Sequence, residues 1–392
     1  MAEKSLFRIA VPGSVPWLRT GLLLLLGGTT ASGAGIDLPA MPPNPVVAPV
    51  LVSERSRYDT DDPAIWFNAE HPEKSLILGT DKHRNGALYV YDLEGKIIEE
   101  KVVRHLRKPN NVDVEYGFSL GGEKIDIAVV TEVITEKLRI YRLPEMTAID
   151  NGGIRVFRGE PSHDFRSPMG IALYRRPEDG AVFAIVSRKK GPAEGYLWQY
   201  RLEEDGHGGV RGVLARKFGA FSGGKGIEAV AVDDALGFVY YSDERNCIRK
   251  YHADPFKGAG ELARFGEREF VSEREGIAIY PLDAKRGYLV ISDQQGNRFH
   301  IYRREGEQNQ PHRHQLLKTV YTTARRTDGC EVIPQGLNGK FPHGLFVAMS
   351  NDRTFQFFNW PDLMGEDQIP ASRPDGPALA KAQERDESLQ RP

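Results

Sequence analysis

Cysteine is nearly missing from the chain: Cys247 and Cys330 are the only two in 392 residues. Two thiols cannot build a disulfide framework, and no CxxC pair is present for zinc or thiol redox chemistry. None of the 10 histidines falls in an HExxH pattern, which excludes the common helix-borne zinc hydrolase arrangement. His312 and His314 lie in the polar run EGEQNQPHRH, which reads as a solvated loop. Neither sign of charge dominates, with 52 Lys+Arg against 54 Asp+Glu. That balance leaves no basic footprint for nucleic acid or an anionic membrane. Long apolar runs are lacking too. Leu22–Leu26 falls far below the ~20 residues a spanning helix needs. It follows Lys4, Arg8 and Arg19 and precedes Ser32 and Ala34, which fit a signal-peptidase site. Residues 1–34 are therefore expected to be a removable signal peptide, sending the protein to a secreted or periplasmic location, with 35–45 as a linker.

Glycine and proline are abundant instead, at 41 and 25 residues, beside a hydrophobic content of 40%. That composition suits many short strands joined by turns. An aromatic-rich strand recurs six times, ending at Tyr91, Tyr141, Tyr200, Tyr251, Tyr302 and Phe358, at intervals of 50 to 59 residues. Upstream of each lies an apolar strand with a polar end: SLILGTDK, DIAVVTE, VFAIVSRKK, FVYYSDE, YLVISDQQG and LFVAMSND. A third strand precedes each of these: DDPAIWF, NNVDVEYGF, SPMGIALY, IEAVAVDD, REGIAIY and TDGCEVI. Three strands per unit, with room for a fourth, predict an all-β, six-bladed β-propeller over residues 46–364. The run VVAPVLVSE at 46–54 is placed to supply the outer strand that closes the ring. Residues 365–392 are poor in large apolar side chains and read as a disordered tail.

In a propeller the first strand of each blade lines the channel and the second runs antiparallel beside it, so the start of one and the end of the other share a face. Strand starts carry Asp61, Asp62, Asn111, Asp113, Glu228, Glu273, Glu275 and Asp328. Strand ends carry Lys82, Glu132, Arg188, Lys189, Glu244 and Gln295. Carboxylates converging on one channel mouth repel unless cations lie between them. An oxygen-only donor set without His or Cys favours Ca²⁺ over zinc or copper. Lys82, Arg188 and Lys189 on the same rim would be internal counter-ions or meet an anionic substrate. Calcium beside lysine is an environment suited to phosphate esters.

Two motif matches fail on context. Gly117-Phe-Ser-Leu-Gly121 fits GxSxG, but a strand follows it where a nucleophile elbow needs a helix. Gly219 to Lys225 fits most of a phosphate loop, yet Gly226 stands where a Ser or Thr is required.

Asp61-Asp62-Pro63-Ala64-Ile65-Trp66, Asn110-Asn111-Val112-Asp113, Ala231-Val232-Asp233-Asp234 and Glu275-Gly276 resemble the β-propeller phytases. So do Gln295-Gly296-Asn297, Thr327-Asp328-Gly329 and Pro342-His343-Gly344-Leu345-Phe346, in order along the chain. The resemblance implies a secreted, calcium-dependent phosphomonoesterase that hydrolyses phytate, with calcium-activated water as nucleophile. It implies metal or water ligation by Asp62, Glu228, Glu244, Glu275, Gln295 and Asp328, with Glu273 where the family usually has Asp. Catalysis would centre on Glu228, Glu244, Glu275 and Asp328. Lys82 and Lys189 match residues that meet substrate phosphates, while Asp61, Asn111 and Asp113 match polar positions of the first two blades. Some positions depart from the family: Met169 replaces a tyrosine, Glu132-Val133 an Asn-Arg pair, and the region of Thr322 and Met349-Ser350 lacks expected acidic ligands. The protein is expected to act as a monomer. A non-catalytic calcium-stabilised binding module and a calcium-dependent propeller lactonase are the alternative functions.

Overall fold

The computed structural model describes residues 45–365; the expected leader, nearly all of the linker and the tail from residue 366 lie outside the described residues. Six antiparallel sheets, five of four strands and one of five, form the blades. Their inner strands are Thr60–Trp66, Pro109–Leu120, Pro168–Arg175, Val230–Asp233, Arg274–Pro281 and Cys330–Ile333. Each inner strand packs against those of the neighbouring blades, so the six surround one channel. This is the predicted all-β, six-bladed propeller. The N-terminal run closes the ring as expected: Leu51–Val52 becomes the fourth strand of the last blade, with Leu51 opposite Phe357 and Val52 opposite Gln356.

The repeated aromatics explain the stacking of the blades. Tyr91, Tyr141, Tyr200, Tyr251, Tyr302 and Phe358 are all buried. Each removes a large apolar area from water, a gain of about 1.5–3 kcal/mol for a fully buried side chain of this size. A second repeated feature ties each of five blades to the next. The polar strand ends carry a Ser or Thr whose hydroxyl donates to a main-chain carbonyl of the adjacent blade. Thr80 donates to Asn110 at 2.6 Å, Thr131 to Met169 at 2.6 Å, and Ser187 to Ile227 at 2.5 Å. Ser242 donates to Glu275 at 2.9 Å and Ser292 to Thr327 at 2.8 Å. These bonds satisfy buried backbone groups and fix the height of each inner strand against its neighbour.

One smaller expectation meets the structure differently. His314 is not in a solvated loop: it is buried, with Nε2 3.2 Å from the Lys250 ammonium and Nδ1 2.8 Å from the Arg303 carbonyl oxygen. The polar run around it folds back onto the outer strands, where Phe265 and Tyr240 cover the imidazole. Cys247 and Cys330 are both buried and free.

Candidate active site

The channel mouth is built by one irregularity repeated around the ring. In four blades the register between first and second strands shifts at the mouth, between Thr60 and Pro63, Pro109 and Val112, Pro168 and Ile171, and Arg274 and Ile277. Such a bulge lets two consecutive residues oppose one and re-aims their side chains. At the first bulge position four blades present Asp61, Asn110, Met169 and Glu275, and the other two place Glu228 and Asp328 at the corresponding step. The next position is glycine in three blades, Gly170, Gly276 and Gly329, because the adjacent blade is too close for a side chain. A Cβ on Gly170 would lie 2.0 Å from the Glu228 carbonyl oxygen, and one on Gly329 would lie 2.2 Å from Asp62 Oδ1.

Seven of the predicted residues, Asp61, Glu228, Glu244, Glu273, Glu275, Gln295 and Asp328, meet at this mouth with two ammonium groups. Lys82 Nζ lies 2.5 Å from Asp61 Oδ1 and 3.1 Å from Glu228 Oε2, bridging blades 1 and 4. Asn110 also donates to Glu228, at 3.3 Å. Glu244, Glu273 and Glu275 gather with ligand oxygens within 4.8 Å of one another, the only such acidic group found among the described residues. Asp328 accepts from the Gln294 amide. Gln295 lies beside Glu273, with Nε2 2.7 Å from Glu273 Oε2 and Oε1 accepting from the Glu273 N–H at 2.8 Å.

The electrostatics are those of acids crowded out of water. Burial, reinforced by Glu228, raises the Glu244 carboxyl to about 8. Burial raises Asp328 to about 6. Asp61 and Glu275 are held well above the usual carboxylate range, again first by burial. Glu228 goes the other way: burial opposes its ionisation, but Lys82 and Asn110 pull it below its ordinary value.

Asp62, Asn111 and Asp113 do not join the mouth, a correction to the sequence reading. They line the channel below it, in a cavity of about 120 Å³ shared with Glu331. Extended strands alternate, so the residues after the bulge point into the channel. Asp62 accepts from Val112 N–H at 3.0 Å, and Asp113 from the N–H groups of Val114 and Leu173, each at 2.7 Å. Burial raises Asp62 to about 8 and Asp113 to about 7.

Arg188 is the clearest correction. Its side chain is fully buried, and its guanidinium is used up by the carbonyls of Tyr196 at 2.9 Å and Gly195 at 3.1 Å and by Glu160 at 3.0 Å. It cannot reach a substrate. Residues at this step of the strand end turn away from the mouth to brace the loops behind it, as Asp81, Glu132 and Asp243 also do. The next residue outward is the one available to the rim. Lys189 stands there half exposed, its ammonium 3.2 Å from Asp164.

Lys225 and Arg245 were missed as members of the site. Lys225 Nζ sits inside the glutamate trio, 3.2 Å from Glu244, 3.2 Å from Glu273 and 3.4 Å from Glu275. Arg245 caps Glu273 at 2.9 Å. The available signal was local: Lys225 lies three residues before Glu228, and Arg245 follows Glu244 directly.

A hard divalent cation fits this donor set. Apart from the Lys225 ammonium, both oxygens of Glu244 and Oε2 of Glu275 are buried with no hydrogen-bond partner. Unsatisfied buried carboxylate oxygens are costly, and a cation that takes oxygen ligands removes the cost.

Comparison with known proteins agrees with this geometry. The family model described as Phytase matches residues 49–356. The 3-phytase of Bacillus subtilis (strain 168) is 34% identical over 324 residues, covering 77% of this chain and 80% of that protein. Six blades, an acid-ringed mouth and a match across most of the chain agree, and the chain belongs to the phytase family.

Proposed function

We propose that the protein is a calcium-dependent phosphomonoesterase that releases phosphate from phytate at the channel mouth. The observation that carries this reading is the Glu244–Glu273–Glu275 trio, whose buried Glu244 oxygens and Glu275 Oε2 have no hydrogen-bond partner apart from the Lys225 ammonium, in a chain of the phytase family. Glu244, Glu273 and Glu275 would hold calcium. When bound there, the ion supplies a Lewis acid for the phosphoryl oxygens and makes water more acidic. Asp61 and Glu228 orient Lys82, whose charge faces incoming phosphate. Lys189 is held on the rim by Asp164, where it would meet a second phosphate of a polyphosphorylated substrate.

The test is phosphate release from phytate by the purified protein, with calcium and with chelator. Release that needs calcium is the expected result. Lys189→Ala should then raise KM more for phytate than for a simple aryl phosphate, since only phytate offers an adjoining phosphate. An unchanged ratio removes Lys189 from the substrate site.

The binding-module reading has one observation in its favour. Met169 and Val133, both buried, occupy positions where the family resemblance places a tyrosine and an arginine. No phosphate release from either ester with calcium present would select that reading.

We further propose export, on the basic residues, short apolar run and small residues of the first 34 positions. Sequencing the N-terminus of the protein recovered from outside the cytoplasm should read from Gly35; an intact Met1 there would overturn it.

A further inference from the structure

The metal reading leaves one side chain in the way. Lys225 places its ammonium among the three carboxylates that would hold calcium. An ammonium has three N–H donors, enough for one carboxylate each. It is a monovalent stand-in for the ion at the same place, and two cations cannot share it.

Its setting differs from that of Lys82. The Lys82 side chain is 18% exposed and follows directly on a second strand, with its backbone N–H bonded to Asp59. The Lys225 side chain is 39% exposed and lies in a segment without regular structure. Gly223, at φ +81°, and Gly224 precede it and Gly226 follows. A Cβ on Gly223 would meet nothing within 4 Å, and one on Gly224 only side-chain atoms at 3.7 Å, so the chain before Lys225 is open to solvent. The lysine can leave without unpacking a blade. The carboxylates cannot, because Glu244 and Glu275 are buried and the Glu275 carbonyl is fixed by Ser242.

We infer that Lys225 is a displaceable internal cation: it fills the Glu244–Glu273–Glu275 site in the metal-free protein and must withdraw for calcium to enter. The inference rests on the calcium reading above. It has two linked consequences. Lys225 offsets part of the charge of three crowded carboxylates while no metal is present, and it weakens calcium binding by the equilibrium cost of its own displacement. The calcium concentration at which the protein becomes loaded is therefore set in part by a residue that is not itself a ligand.

The experiment is calcium titration by calorimetry, with thermal melts in chelator and in saturating calcium. The proteins are the wild type, Lys225→Met, Lys225→Gln and Lys225→Arg. Both neutral variants should bind calcium about tenfold more tightly or better, a gain of about 1.4 kcal/mol. Their Tm should fall in chelator and stay near wild type in calcium, so that the gap between the two melts widens. Lys225→Arg, which keeps the charge, should bind no more tightly than wild type. If one neutral variant fails to fold without metal, it is purified in calcium and the other carries the titration. Wild type that binds calcium while the folded neutral variants bind it equally or more weakly would overturn the role of Lys225 and leave the metal site standing. Absence of calcium binding in every protein overturns both.

Discussion

Replacing Glu275 by Gln should reduce calcium-dependent phosphate release by about 10²–10³-fold, the size of loss that follows removal of one preorganised hydrogen-bond donor to developing charge at a reacting centre. The substitution keeps the side-chain shape and the main-chain bond from Ser242, so the mouth itself should persist. It removes one of three charges from the trio and leaves Oε2, already without a hydrogen-bond partner, replaced by an amide or neutral oxygen. Metal affinity should fall with it. Stability without metal should move in the opposite direction, because the Glu275 carboxyl is held well above its usual range by burial and by Glu244, Glu228 and Asp328. A neutral amide escapes that repulsion, and the chelated variant should melt no lower than chelated wild type. Activity unchanged at limiting calcium would remove Glu275 from the site.

The second large effect is the response of the metal-free protein to pH. In the folded chain burial pushes Glu244 and Asp62 up to about 8, Asp113 to about 7 and Asp328 to about 6, from ordinary values of 4.5 for Glu and 3.8 for Asp. A raised carboxylate means that the folded state holds protons the unfolded state has already released. Unfolding then releases protons, and stability falls as pH rises from about 4 to about 8. Glu228 and Glu273 are lowered and oppose this, but they are outnumbered. In chelator, Tm should drop by several degrees between pH 5 and pH 8. Saturating calcium should flatten or reverse the slope, because the cation favours the ionised carboxylates that burial disfavours. A chelated protein that grows more stable over that interval would show that these acids are already compensated within the fold.

The propeller could be read from sequence because its blades repeat a physical requirement. Each needs a buried aromatic at the end of one strand and a polar stop at the end of another, and both recur every 50 to 59 residues. The hydroxyls of Thr80, Thr131, Ser187, Ser242 and Ser292 were equally visible, but their meaning depends on a partner in the next blade. The site was legible as a set of acids and less so as an arrangement. Nothing in Asp61-Asp62 distinguishes the carboxylate that pairs with Lys82 from the one that turns down the channel, since a bulge decides it. Arg188 and Lys189 are adjacent and equally basic, yet one is consumed behind the rim and the other stands on it. Lys225 was hidden by its company: with the glycines before it, it resembles part of a phosphate loop, and rejecting that motif left the residue without a role.

The pairing of Leu51–Val52 with the final strand has a consequence for how the protein is made. The last blade draws on residues near both ends of the described chain, about as remote in sequence as two partners here can be. Contacts of such long range form late, after the entropy of closing a very large loop has been met. Synthesis delivers the N-terminal strand first, and its partner at Thr354–Asn359 is the last of the described strands to emerge. Until then the ring stays open, with strand edges that can pair with other chains. Emergence of Thr354–Asn359 thus acts as the signal for closure, and a chain cut short before residue 354 should aggregate rather than yield a smaller propeller.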